Sequence, residues 1–162
     1  MRNGAVSSVT TGEGIRLSDA EREVALAETR AVLDAAVRPD RRAQLEALEV
    51  AIEEGVLDED NAGSLEPIVE LALQAGRIRA VYGPPGEQAA LRLYRKLPRG
   101  VALTESVREV TDALSSLRGC RIESASLTAV GPGSFTLSLT TDEASLSVRL
   151  DRQGARLASV EV

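Results

Sequence analysis

Histidine is absent from the chain, and a good deal of chemistry goes with it. Without imidazole there is no ordinary general base near neutral pH, so Ser-His-Asp and Cys-His arrangements are excluded. The usual nitrogen ligand of zinc, copper or haem is missing as well, and no metal or cofactor is expected. Cysteine occurs once, at Cys120, which forbids an intramolecular disulfide and a four-cysteine zinc site. Cys120 is expected as a small, half-buried hydrophobe where a helix meets a sheet. Aromatics are nearly missing too: Phe135, Tyr82 and Tyr94 are the whole set. Base stacking and sugar platforms are therefore poorly served, and Leu, Val, Ala and Ile must do the packing. No run approaches 18 apolar residues, so no membrane span is expected. The opening residues have no long apolar centre and fail as a secretory signal, which points to the cytoplasm.

What remains is a chain of 162 residues, 43% hydrophobic, enough for one ordinary domain or two small ones. Lys96 is the only lysine, and arginine supplies the other cations, a bias that points to a GC-rich bacterial genome. Charge is segregated. Residues 1–76 carry 7 Arg against 16 acids, a balance of −9. Residues 77–99 carry five Arg and Lys96 against Glu87 alone, a balance of +5, and residues 100–162 return to −2.

Pattern reading gives an α+β protein. Its N-terminal helical segment, of about four helices, precedes a helix packed on a four-stranded antiparallel β-meander. Residues 1–16 read as a disordered tail, 17–100 as the helical region and 101–162 as helix plus sheet. Ser18-Asp19-Ala20-Glu21 is a capping box and opens the first helix, which Pro39 ends. The second helix starts at Asp40, with Leu45, Leu48, Val50, Ile52, Val56 and Leu57 as its stripe and Gly55 near its end. After a solvated acidic turn, Asp58-Glu59-Asp60, Ser64 caps a third helix with Pro67 in its first turn. Arg77–Tyr82 reads as a short strand or extended linker, followed by a break at Gly83-Pro84-Pro85-Gly86. A fourth helix covers Glu87–Leu97, and Thr104 caps a fifth. The four strands follow, near 121–130, 134–140, 145–150 and 155–162. The two in the middle alternate cleanly, and the outer two carry a bulge each.

Val81-Tyr82-Gly83-Pro84-Pro85-Gly86 resembles the start of the Walker A loop in AAA+ ATPases, with a strand before it and a helix after it. The resemblance covers six residues. The next three, Glu87-Gln88-Ala89, stand where that family needs glycine, lysine and a hydroxyl, and a glutamate there repels phosphate. A Pro-Gly connector is the better reading. The acidic pair of helices around 58–64 offers no base-reading side chain to a DNA groove. Paired carboxylates without an aromatic platform do not make a glycosidase, and no enzyme activity is expected.

Arg77, Arg79, Tyr82, Arg92, Tyr94, Arg95, Lys96 and Arg99 form the candidate partner- or anion-binding set. This basic belt matches the acidic helices of the same chain, or an acidic protein partner. Nucleic acid is disfavoured by the net charge of −6. The Ser/Thr face of the meander, Ser134, Thr136, Ser138, Thr140, Ser145 and Ser147, is a plain solvent face or one half of a homodimer, and the last strand is a weakly charged edge. The functional expectation is a non-catalytic interaction protein, an accessory or assembly subunit of a larger bacterial complex. The alternative is a small-molecule-binding module with a pocket near Arg77–Tyr94. That alternative requires Arg79 or Tyr82 to line a cavity.

Overall fold

Ser18 starts the first helix as its sequence requires. In the computed structural model, which describes residues 14–161, its hydroxyl caps the backbone N–H of Glu21, and the Glu21 carboxylate accepts from the Ser18 N–H at 2.8 Å. The elements in chain order are β1 (Ile15–Arg16), α1 (Asp19–Asp34), α2 (Pro39–Glu54), β2 (Val56–Leu57), α3 (Glu59–Gln74), α4 (Arg77–Tyr94), α5 (Pro98–Ser116), β3 (Ile122–Gly131), β4 (Ser134–Thr141), β5 (Ser145–Asp151) and β6 (Gly154–Glu161). The α+β class stands as expected, with the helices first and an antiparallel sheet of order β3-β4-β5-β6 behind them. The chain divides into two compact units at Pro98/Arg99. Of the expected tail, residues 1–13 lie outside the described residues, and Ile15–Arg16 form β1.

Several local readings need correction in the helical unit. Pro39 does not end α1; it opens α2 at the first helical position, where its missing N–H costs nothing. Val56 and Leu57 are not helical. Gly55 adopts φ 78°, stops α2, and sends them into an antiparallel pairing with Ile15–Arg16. The third helix begins at Glu59, because its cap is not Ser64 but Asp58, six residues earlier, which accepts from the Asn61 N–H at 2.8 Å. The acidic turn is thus the first turn of α3, where Glu59 and Asp60 complement the helix dipole. Pro67 sits in the interior of that helix. Its ring crowds the carbonyl of residue 63, which is an exposed glycine with open space around it.

Arg77–Tyr82 is helical rather than extended. Gly83, at φ 66° and ψ −171°, breaks α4 into two stretches, so the Pro-Gly segment is a kink within a helix pair. That conformation is open to glycine almost alone. Leu45, Leu48, Ile52, Leu57, Leu65, Val69, Leu93 and Leu97 fill the main core, with no aromatic ring among its fully buried members. Val50, read as part of the apolar stripe of the second helix, is exposed.

In the sheet unit α5 begins at Pro98, ahead of the expected cap. Thr104 lies inside it, donating its hydroxyl to the Gly100 carbonyl at 2.8 Å. The bulges fall in the two outer strands as expected, but β3 carries two and β6 one. Register sets three apolar rows on one face. They are Ala125-Leu139-Leu146-Val160, Leu127-Leu137-Val148-Leu157 and Ala129-Phe135-Leu150-Ala155. Val110 of α5 packs on Leu146 and Val148, with Ala113 and Leu117 beside it. Ser106 donates to the Ala155 carbonyl, and a side chain at Gly154 would strike Leu103. Cys120 is half-buried between α5 and β3.

Candidate functional site

The basic belt is largely used up inside its own unit. Arg77 forks onto Glu28 of α1, with the closest approach 3.0 Å, and the Glu28 side chain is only 4% exposed. Lys96 binds Glu21, 2% exposed, at 2.7 Å and the Arg16 carbonyl at 3.0 Å. Arg79 pairs with Glu87 at 3.1 Å, across the kink at Gly83. Burial pushes the Tyr82 phenol above its ordinary pKa, and the neighbouring Glu28 carboxylate adds to this against the pull of Arg77. For Glu21, burial raises the carboxyl, but Lys96 and the Ser18 groups outweigh it and hold the carboxyl below the usual range. Tyr94 is half-buried against the main core. Arg99 is exposed and has partners within the protein. Arg92 and Arg95 are exposed and make no ion pair among the described residues.

Glu21 and Glu28 were not foreseen as members of this cluster. Both stand seven apart on the apolar stripe of α1, with Val24 and Ala25 between them, and a carboxylate at such a position must find a cation. That spacing was available in the sequence. The Walker-like hexapeptide loses its setting: helix, not strand, precedes Gly83.

The second feature lies on the sheet unit. A four-stranded sheet is about 19 Å wide at ordinary strand spacing. One helix covers about 10 Å of it. Here α5 buries Leu146 and Val148, with Leu137, Leu139, Leu150 and Ala155 partly buried around them. The rows run out to β3 on one side and to Leu157 and Val160 of β6, 38% and 46% exposed, on the other. Leu127 is 63% exposed and Phe135 40%, and on α5 Val107 and Leu114 are 45% and 38% exposed. Every residue of β3 is exposed. Its only charge is Glu123. On the opposite face, Ser138 and Ser147 share a hydrogen bond at 3.3 Å, within the hydroxyl-rich surface expected there.

A third feature is a groove of about 580 Å³ in the helical unit, lined in part by Glu28, Val32, Arg41, Ile68, Leu71 and Arg77. Arg77 reaches it; Arg79 and Tyr82, which the ligand-binding alternative required, are not among its lining residues. Cys120 offers no reactive thiol. Burial raises its pKa, and the Glu143 carboxylate, 3.7 Å from the sulfur, raises it further. Comparison with protein-family models, with curated proteins and with solved structures finds no match.

Proposed function

We propose that this is a non-catalytic interaction protein, an accessory or assembly subunit of a larger cytoplasmic bacterial complex, which binds a protein partner through the open half of its sheet. The observation that carries the reading is the mismatch between twelve apolar positions in three rows and the one helix over them. Contiguous apolar surface left outside a finished core marks a surface that meets another protein. The belt contributes less than its charge promised, because Arg77, Arg79 and Lys96 are matched internally. An acidic partner has Arg92 and Arg95 left to engage.

The test is a photo-crosslinking side chain, p-benzoylphenylalanine, placed at Leu127 in the native host. The control is the same group at Val101 of α5, which is also exposed, at 47%, but lies off the apolar stripe. Irradiation is expected to trap protein at position 127 and not at 101. Absence of any adduct at 127 above the control overturns the reading.

The groove favours a second reading, a binding module for an apolar chain ending in an anion. Its walls are aliphatic and Arg41 and Arg77 stand among the lining residues. Decanoate titrated by calorimetry is the direct probe. Binding that disappears in Leu71→Glu supports a ligand site; no heat with the wild-type protein removes it.

A further inference from the structure

The partner of strand β3 is written into β3 itself. The strand runs Ile122-Glu123-Ser124-Ala125-Ser126-Leu127-Thr128-Ala129-Val130-Gly131 and forms one edge of the sheet. Natural edges are usually blunted by charge, proline, shortness or bulges. This edge has ten residues, one charge and no proline. Its two register shifts fall at the ends, between Ile122 and Ser124 and between Ala129 and Gly131, leaving Ser124–Ala129 regular. The other edge, β6, is interrupted by a bulge opposite Ser147/Val148 and carries Arg156 and Glu161.

The middle of β3 also reads alike by residue class in both directions: Ala125-Ser126-Leu127-Thr128-Ala129. We infer that β3 of one molecule pairs antiparallel with β3 of a second copy about a twofold axis at Leu127. This rests on and deepens the reading above, since it names the partner of the bare strand at the margin of the open half-sheet; the pairing extends the apolar face rather than covering it. In this register Leu127 faces its own copy, Ala125 faces Ala129, and Ser126 faces Thr128. Within residues 125–129 apolar side chains then meet on the face already apolar and hydroxyls meet on the face already polar, while Ser124 falls opposite Val130, where β3 is bulged. Shifting the register by one residue would set serine against leucine and turn one copy's apolar face the wrong way. Glu123 falls opposite Gly131, so the two carboxylates lie at opposite ends of the pairing and do not repel. The outward N–H and C=O groups along the regular stretch of both edges are satisfied, and the two Leu127 side chains lie side by side.

Leu127→Cys in a Cys120→Ser background tests the register. Directly opposed residues have Cα atoms about 4.5–5.5 Å apart, a span a disulfide bridges. Mild oxidation is expected to give a covalent dimer through position 127 and none through Val160→Cys on the other edge. Native mass spectrometry supplies the second readout: a dimer for the wild type. Leu127→Lys sets two cations opposite each other and is expected to weaken that dimer by about tenfold or more. Because Leu127 is exposed, this variant keeps its fold, which circular dichroism checks. A monomeric wild type, or crosslinking through β6 in place of β3, overturns the inference. If the photo-crosslinker at Leu127 still traps a different chain in the host, the interaction reading survives without the homodimer; if it traps nothing, both fall.

Discussion

Lys96 and Arg77 do structural work that their charge alone does not disclose. Each cation caps a carboxylate of α1 that sits on the buried stripe, Glu21 or Glu28. Removing the cation leaves an acceptor with too few partners, a cost of about 1–3 kcal/mol for a buried group. Lys96 is 40% exposed, so water screens the loss, and Lys96→Ala is expected to cost about 1 kcal/mol in urea denaturation. The pH dependence has a definite sign. A carboxyl held below its usual pKa in the folded state stabilises the fold at neutral pH, and that contribution is lost as acid titrates it through its lowered value. Lys96→Ala should therefore flatten the acid limb of the stability profile and leave the alkaline side of that limb merely lower. Reversing Arg92 and Arg95 together should shift stability by no more than about 0.5 kcal/mol, as expected of exposed side chains away from any ion pair. An unchanged midpoint with a lost association would locate a partner contact there.

At the scale of elements, two glycines make opposite predictions. Gly63 lies in the interior of α3 with nothing near a new methyl group, so Gly63→Ala should stabilise by about 0.5–1 kcal/mol. Gly83 holds the break in α4 at φ 66°, and Gly83→Ala should destabilise by about 1–3 kcal/mol. Thermal unfolding of the pair of variants, one shifted up and one down, checks both. These positions also mark where sequence reading failed. Asp58 and Ser64 are both good caps, and a proline at residue 67 made Ser64 the natural choice. The structure takes Asp58, and the longer helix buries Ala62 and Leu65. In contrast, the capping box at Ser18 and the strict alternation of β4 and β5 involve only near neighbours in sequence, and there the expectation and the structure coincide. The strand reading of Arg77–Tyr82 followed its alternation of charge and apolar bulk. Ile78 is fully buried in a helix, and a single buried residue in six does not distinguish the two periods.

For the molecule as a whole, the informative quantity is area that one chain does not cover. Four one-sided strands and one covering helix were legible in the sequence, and the shortage of cover follows from their widths. Which strand would be left bare was not legible, since that depends on where α5 lies across the rows. It buries residues of β5 and leaves β3 exposed along its whole length. The account therefore stands or falls on β3 being completed by protein. Amide hydrogen exchange resolves this directly, comparing the wild type with Leu127→Lys at the same concentration. The expected result is slow exchange across residues 122–131 in the wild type, approaching that of β4, and fast exchange at the outward amides in the variant. Equally fast exchange of β3 in both proteins would contradict it.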